Sequence, residues 1–285
     1  MSVQDIILKL QEFWAHHGCY IASGYDTEVG AGTMTPDTFF RVLGKSPWRV
    51  AYWQPARRPD DGRYAQNPNR VQKHNQFQVI IKPVPVDGQV LYLKSLQYIG
   101  VDTHSHDIKF DEDNWASPSL GAWGVGWQVM CDGLEITQFT YFQQAGGIEL
   151  NPNSLEITYG IERLAAFLDA KDSIYHLEWG NQVTYAQLRE EEERQFSIYN
   201  FEYADIQFLR SIYEEYQREA TRLAAADLFL PAFDYVLKCS HTFNILDARK
   251  AISVAERNTF MAVMRNLAGE IAQKYVRATE GGEKP

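Results

Sequence analysis

The first sixteen residues carry apolar side chains on one face of a helical pattern. The apolar positions are Val3, Ile6, Ile7, Leu10, Phe13 and Trp14. They follow the three- and four-residue intervals of an amphipathic helix. Ser2 and Asp5 have the spacing of a capping box at the helix start, and Gly18 follows the helix end. The pattern predicts a helix over residues 3–16.

Between residues 18 and 160 the pattern changes to short runs rich in β-branched and aromatic residues, separated by turn clusters such as RRPDDGR and QQAGG. The runs are WRVAYW (48–53), NQFQVIIKPVP (75–85), QVLYLKSLQYI (89–99) and LEITQFTYFQQ (134–144). Runs of this kind predict strands. We therefore expect a mostly antiparallel sheet with few helices between its strands.

From about residue 160 the pattern is helical almost to the end of the chain. Helices are predicted over residues 160–170, 183–198, 202–225, 231–245 and 248–277. The acidic run REEEER (189–194) indicates a solvated helix face. This order of elements predicts an α+β fold, in which an antiparallel sheet flanked by helices (1–165) precedes an all-helical part (166–280) that would carry a subunit interface. Residues 281–285 are expected to be a disordered tail.

Composition and charge narrow the possible function classes. The chain has 285 residues and a formal net charge of −10, so indiscriminate binding to nucleic acid or to an anionic membrane is not expected. Cys19, Cys131 and Cys239 are far apart and provide no metal framework, so we expect no zinc. No apolar run reaches transmembrane length and no signal-peptide pattern is present, which predicts a cytoplasmic protein.

The loop between the first and second predicted strands concentrates cationic groups in an otherwise acidic chain. They are Arg57, Arg58, Arg63, Arg70, Lys73 and His74. This concentration indicates an anionic ligand, and arginine suits phosphate because its planar fork binds two oxygens. The alternative is a solvated hairpin tip whose arginines pair with Asp60 and Asp61.

The segment DGLEITQ (132–138) carries two oxygen-bearing side chains, Glu135 and Gln138, at the start of a predicted strand. Such oxygens could hold Mg²⁺, which keeps several waters when it bridges phosphates. Side chains three apart on an ideal strand point to opposite faces, so both could reach one ion only across a bulge or twist. The alternative is a cross-strand polar pair.

The segment EITYGIER (156–163) joins a strand pattern to a helix pattern. We expect Gly160 to let the backbone turn without a clash at Cβ. The free N–H groups of the helix start, together with Arg163 on its first turn, would form an anion site. The alternative is an ordinary strand-to-helix connection with a solvated arginine.

These three segments resemble motif 2, the metal-binding strand and motif 3 of class II aminoacyl-tRNA synthetases. GAGTMTPDTFFRVLG, with Pro36, resembles the dimer-forming motif 1. Over essentially its whole length the chain is similar to the α subunits of bacterial heterotetrameric glycyl-tRNA synthetases. It departs from the usual motifs, because Glu156 and Thr158 replace two motif 3 glycines and motif 2 reads Arg58-Pro59-Asp60, with aspartate in place of glutamate.

The resemblance implies that the chain activates glycine with ATP to glycyl-adenylate and pyrophosphate, and then passes glycine to tRNA(Gly). It implies that Arg58 clamps the α-phosphate, with Arg57 as the alternative register, and that Arg163 holds the γ-phosphate. Glu135 and Gln138 would hold Mg²⁺ through ATP. Phe77 would stack on adenine.

The resemblance also places the amino-acid site and the partners. Glu156 would pair with the substrate ammonium beside Thr158, since both lie on one strand face. Candidate pocket walls are Thr33, Gln76, Gln78 and Trp115. On an ideal strand, Gln76 and Gln78 face away from Phe77. We therefore expect either the two glutamines or Phe77, but not both, to line the site. The α chain would form a homodimer within an α2β2 assembly whose β subunits carry much of the tRNA recognition.

Overall fold

A computed structural model describes residues 1–280 of the chain. The strands are β1 (Tyr20–Ile21), β2 (Trp48–Arg57), β3 (Lys73–Lys82), β4 (Ile108–Glu112), β5 (Trp115–Ser117), β6 (Ala122–Cys131), β7 (Leu134–Ala145), β8 (Ile148–Gly160), β9 (Glu178–Gly180) and β10 (Val183–Thr184). An eight-stranded sheet has the order β1-β2-β3-β8-β7-β6-β4, with β5 also paired to β6. Its pairs are antiparallel except for β1 with β2.

Helices flank the sheet and make up most of the C-terminal part. They are α1 (Val3–His16), α2 (Pro36–Val42), α3 (Gly88–Tyr98), α4 (Ile161–Leu168), α5 (Tyr185–Ile198), α6 (Ile206–Ala225), α7 (Phe229–Ala248) and α8 (Val254–Glu280), with a π-helical segment, Tyr199–Tyr203, after α5. The predicted α+β architecture is confirmed. Within residues 1–280, no helix is long and apolar enough to cross a membrane. The predicted tail, 281–285, lies outside the described residues.

The first helix has the bounds and the cap that its sequence predicts. The Asp5 N–H donates to Ser2 Oγ at 3.2 Å, and the Ser2 N–H donates to Asp5 Oδ2 at 3.1 Å. All six of the predicted apolar positions are buried. This agreement follows because capping and helical spacing are local properties of the sequence.

The strand predicted over 89–99 is wrong, because this segment is helix α3. Its buried residues include Leu91, Tyr92, Ser95 and Leu96. These positions recur at helical intervals of three and four, and that periodicity prevails over the aromatic and β-branched content of the run.

Strand β6 was not predicted, because glycines interrupt its apolar pattern. A Cβ atom at Gly126 would lie 2.9 Å from the carbonyl oxygen of Asp113, and one at Gly124 would lie 2.8 Å from the carbonyl oxygen of Tyr141. Glycine in a strand often marks such close approach of another backbone. The glycines that interrupt the apolar pattern of β6 are therefore required by the close packing of the sheet.

The two faces of the sheet carry different hydrophobic clusters. Phe77, Val79 and Ile81 of β3 belong to a cluster shared with α1, α3 and α4, whereas Ile80 belongs to a second cluster. In the second cluster, Phe39 of α2 stacks on Phe233 of α7 with ring centroids 4.3 Å apart. The C-terminal helices therefore pack directly on the sheet, and this apolar core continues across residue 165.

Candidate active site

A polar cavity of about 470 Å³ opens where β8 ends and β3 and β7 begin, beside α4. Charged and amide side chains from distant segments line it. Among them are Arg58, Asp61, Asn69, Arg70, His74, Gln76, Asp113, Glu135, Gln138, Glu156, Glu162 and Arg163. The volume is typical of a small-molecule site. Its mixture of carboxylates and guanidinium groups suits a ligand that carries both signs of charge.

Arg58 lies at this cavity and Arg57 does not. The Arg58 N–H donates to the Gln72 carbonyl at 2.7 Å, and Arg58 Nε donates to the Gly30 carbonyl at 2.9 Å. The guanidinium of Arg57 instead lies over the ring of Phe196, 5.1 Å from its centroid. Although Arg58 is open to the cavity, the surrounding protein partly desolvates it and lowers its pKa. Of the two sequence registers, the fold brings Arg58 to the site.

Arg163 occupies the first turn of α4, as its position after Gly160 predicts. Its Nη1 donates to Glu135 Oε2 at 2.6 Å and to the Glu135 carbonyl at 3.2 Å. The expectation that glycine is needed here to avoid a clash at Cβ is wrong, because Gly160 has φ −86°, which any residue can adopt. A Cβ atom there would meet the Ile136 carbonyl oxygen at an ordinary 3.5 Å.

Glu135 and Gln138 both line the cavity because β7 contains a bulge. Thr137 pairs with Val129 of β6 and Glu135 pairs with the next residue, Met130, so Ile136 is extra in β7. An extra residue shifts the alternation of side chains by one position. The bulge that both side chains need to reach one ligand is therefore present.

Glu156 lies at the floor of the cavity in a buried polar network. It is 1% exposed and accepts hydrogen bonds at Oε1 from Thr33 Oγ1 at 2.5 Å and from Gln78 Nε2. Thr158 Oγ1 donates to Gln78 Oε1 at 2.7 Å. Burial raises the pKa of Glu156 to about 7, against the opposing effect of the two hydrogen bonds. Within residues 1–280 both of these side-chain donors bond to Oε1 and neither bonds to Oε2.

Comparison with known proteins gives the family. Residues 3–280 match the family described as glycyl-tRNA synthetase alpha subunit. The chain belongs to this family. It is 53% identical, over all 285 residues and 98% of the relative, to the glycine–tRNA ligase alpha subunit of Coprothermobacter proteolyticus (strain ATCC 35245 / DSM 5265 / OCM 4 / BT).

Two of the solved structures that match the chain overlap with about two thirds of it. Two structures of pyrrolysyl-tRNA synthetase from Desulfitobacterium hafniense cover 63% and 64% of this chain and 73% and 75% of their own, at 12% and 11% identity. The TM-score is 0.44 for each.

The adenine-stacking role that the family resemblance implied for Phe77 does not fit the structure. Phe77 is fully buried on the opposite face of β3, with its ring edge-on to Tyr159 at 6.2 Å. Strand alternation instead turns Gln76 and Gln78 to the side of the site. Gln76 lines the cavity and accepts from the Gly32 N–H at 2.8 Å, while Gln78 lies beneath it in the Glu156 network. Trp115 of β5 also lines the cavity.

Several cavity residues were not among the predicted site residues, and Glu162 is one of them. Glu162 is 5% exposed and accepts from the backbone N–H and side-chain amide of Asn75 and from Tyr185 Oη. In the sequence, only the position of Glu162 next to Arg163 could have indicated that it is a site residue. His74, counted among the loop cations, is not one at neutral pH, because burial, reinforced by Arg58 and Arg163, lowers its pKa to about 3.

The oxygen donors at the cavity suit the Mg²⁺ that the family resemblance implies. Besides Glu135 and Gln138, the carboxylate of Asp113 lies nearby and accepts from Gln138 Nε2 at 3.1 Å. Within the described part of the chain, no group of three or more His, Cys, Asp or Glu side chains could hold a metal ion alone. Mg²⁺ commonly combines one or two carboxylates with phosphate oxygens and water. The residues therefore fit a Mg²⁺ that arrives with a polyphosphate.

Proposed function

We propose that this chain catalyses the activation of glycine by ATP and, with a β subunit, the transfer of glycine to tRNA(Gly). The observation that carries the proposal is the arrangement of charges in one cavity. A buried carboxylate, Glu156, lies at its floor, and two guanidinium groups, Arg58 and Arg163, line the same cavity. This arrangement suits an amino acid held by its ammonium next to a polyphosphate.

In the proposed reaction a carboxylate oxygen of glycine attacks the α-phosphorus of ATP, and the bond from that phosphorus to the pyrophosphate oxygen breaks. Arg58 stabilises the charge that develops on the α-phosphate in the transition state. Arg163 binds the γ-phosphate and directs pyrophosphate away as the leaving group. The protein supplies positioning and charge, and no protein acid or base is needed for this step.

Glu135 and Gln138 are the residues proposed to hold Mg²⁺ through ATP. When bound, the ion supplies Lewis-acid polarisation of the phosphates and orients them. The bulge at Ile136 supports the assignment, because it brings both side chains to the cavity.

The proposed glycine site consists of Glu156 with its supporting network. Ionised Glu156 pairs with the ammonium of glycine, and Thr33, Gln78 and Thr158 hold the carboxylate in place. Trp115 and Gln76 form walls. We propose that the site has no room beyond the Cα atom of the substrate, so larger amino acids are excluded by steric overlap. Steric exclusion discriminates between amino acids more strongly than the loss of one favourable methylene contact.

The base of ATP requires a ring partner other than Phe77. Of the described residues that line the cavity, His74 and Trp115 have ring side chains. We assign base stacking to His74, because it is uncharged and close enough to Arg58 and Arg163 for their charges to lower its pKa.

Partners and organisation follow from the same proposal. The net charge of −10 leaves the α chain without a broadly basic surface, which favours tRNA recognition by the β subunit. We propose an α homodimer within α2β2 that acts in the cytoplasm. We further propose that residues 1–165 are the catalytic part and that residues 166–280 contribute the subunit interface.

The test is ATP–pyrophosphate exchange by the α chain with its β partner, measured for each amino acid. Glycine-dependent exchange is expected, with no comparable exchange for alanine or serine. A paralogue that activates another small acid would show a different amino acid dependence. A protein that only binds RNA or scaffolds another enzyme would show no exchange, and either result would refute the proposal.

A further inference from the structure

The loop of residues 58–72 carries several of the cavity's polar groups. Arg58, Asp61, Asn69 and Arg70 all line the cavity. The base of the loop is closed by the hydrogen bond from the Arg58 N–H to the Gln72 carbonyl. A loop of this length has many accessible conformations, so its cavity side chains need further contacts to keep them in place.

One buried carboxylate outside the cavity holds this loop at two points. Glu193 of α5 accepts from the Arg63 N–H at Oε1 and from the Gln72 N–H at Oε2, each at 2.8 Å. Ser197 Oγ donates to Glu193 Oε1 at 3.2 Å. Arg63 and Gln72 are nine residues apart, so a single side chain ties the outer part of the loop to its base.

The neighbouring turn of α5 extends the same contact. Ser197 Oγ accepts from the Tyr64 N–H at 2.9 Å. A Cβ atom at Gly62 would lie only 2.8 Å from Ser197 Oγ and 2.9 Å from the ring of Phe201. Lys73, just after the loop, pairs with Glu192 at 2.8 Å. Helix α5 and the loop are therefore packed closely, with no room for a side chain at Gly62.

The burial of Glu193 corrects the expectation that the run REEEER is a solvated helix face. Its exposure is 3%, whereas Glu190 and Glu191 are exposed. A buried carboxylate is costly unless hydrogen-bond donors surround it. Here the donors are two backbone N–H groups of the loop and one hydroxyl. The Glu193 carboxylate and the two loop N–H groups thus satisfy each other's hydrogen-bonding capacity. Glu193, Arg63 and Gln72 do not line the cavity.

We infer that Glu193 is a positioning residue for the nucleotide, which fixes the 58–72 loop so that Arg58 and Arg70 face the cavity. Glu193 itself does not line the cavity. The inference rests on the proposed function, because the loop is taken to bind ATP. It predicts that the contribution of α5 is specific to the nucleotide and leaves the glycine site, centred on Glu156 of β8 and Gln78 of β3, unaffected.

The first test uses Glu193→Gln in the complete α–β enzyme. The amide keeps one acceptor oxygen and presents an N–H₂ group to the other loop N–H, so one of the two bonds is lost. We expect the KM for ATP in the exchange assay to rise about tenfold, the effect of losing one hydrogen bond to a charged acceptor. The KM for glycine should change less than twofold. Glu190→Gln, on the exposed face of the same helix, is the control and should match wild type.

The second test does not depend on activity. Amide hydrogen exchange of peptides that span residues 60–73 should speed up in Glu193→Gln and, to a smaller degree, in Ser197→Ala. Exchange in the β8 peptide that contains Glu156 should be unchanged. If wild type lacks glycine-dependent exchange, the proposed function fails, and the hydrogen-exchange result still decides whether Glu193 holds the loop.

Two outcomes would overturn the inference in an active wild-type enzyme. One is an unchanged KM for ATP in Glu193→Gln. The other is an equal rise in the KM for ATP and for glycine together with a lower melting temperature, which would make Glu193 a general stabilising residue.

Discussion

Arg163 and Glu135 form an ion pair with each other, with 2.6 Å between Nη1 and Oε2. The cation proposed for the γ-phosphate is thus paired with the carboxylate proposed for Mg²⁺. Both side chains are partly exposed, at 45% and 37%, so the pair contributes only about 0–1 kcal/mol to stability. If Mg²⁺ binds Glu135 and a phosphate binds Arg163, as proposed, breaking this ion pair would therefore cost little free energy.

Replacement of this arginine separates catalysis from folding. Arg163→Ala should lower glycine-dependent exchange by about 100-fold or more, as expected for loss of a group that stabilises developing charge. The melting temperature should stay within about 2 °C of wild type, because an exposed pair adds little stability. Exchange assays and thermal melts on the same preparation give both values. Full exchange activity in this variant would remove Arg163 from the catalytic residues.

The neighbouring arginines of the second motif provide a matched pair of variants. Arg58→Ala should reduce exchange by about 100-fold, because Arg58 lines the cavity. Arg57→Ala should leave exchange within about threefold of wild type, since the Arg57 guanidinium lies over Phe196 and not at the cavity, and a cation–π contact contributes only about 0.5–1 kcal/mol. Initial exchange rates at saturating substrates compare the two. The reverse order of effects would show that the other register is used.

The raised pKa of Glu156 predicts how glycine binding depends on pH. Only ionised Glu156 attracts the ammonium of glycine, and its pKa is about 7. The KM for glycine should therefore rise as pH falls below 7, approaching tenfold per pH unit, and level off above 7. Glu156→Gln should bind glycine weakly at every pH. A KM for glycine that is flat between pH 6 and 8 in wild type would contradict the role.

The same pKa has a consequence for stability with a definite sign. The folded state keeps the Glu156 proton up to about pH 7, whereas the unfolded chain loses it near the ordinary value of 4.5. The unfolded state binds fewer protons between these values, so this group makes the free energy of unfolding fall as pH rises from 4.5 to 7. Denaturant melts of wild type and Glu156→Gln should differ in this slope, and equal slopes would count against the pKa shift.

Two glycines near the amino-acid site offer a steric test. A Cβ atom at Gly32 would lie 2.9 Å from Gln78 Oε1, whereas one at Gly30 would meet its nearest neighbours at an ordinary 3.7 Å. Gly32→Ala should displace Gln78 from Glu156 and raise the KM for glycine by about tenfold, the effect of a disturbed hydrogen bond to a charged group. Gly30→Ala should be close to wild type. Similar kinetics for both variants would argue that Gln78 does not support the site.

Magnesium dependence tests the bulged strand. Glu135→Gln removes the carboxylate proposed to share Mg²⁺ with ATP, so the Mg²⁺ concentration that gives half-maximal exchange should rise severalfold. Chelation of the metal should abolish exchange in wild type. Glu149→Gln, an exposed change on β8, serves as the control. An unaltered Mg²⁺ requirement in Glu135→Gln would place the ion elsewhere.

Local sequence patterns predict much of this fold. The spacing of apolar residues and the Ser2–Asp5 cap determined α1, and the change from strand-like to helical runs determined the order of the elements. The motif segments also indicated Arg58, Arg163, Glu156 and the neighbouring polar residues before their positions were known. These features depend on residues close together in the chain, which is why the sequence alone could reveal them.

Only the tertiary structure decided which side of each element faces the site. Long-range strand pairing placed Arg58 rather than Arg57 at the cavity, turned Phe77 into the core, and introduced the bulge beside Glu135. It also buried Glu193 against a loop about 120 residues earlier in the chain. A shift of one residue in register reverses every side chain of a strand, and register is set by partners far away in sequence. The sequence determined the chemical groups, and the packing of distant strands and helices determined which of them meet.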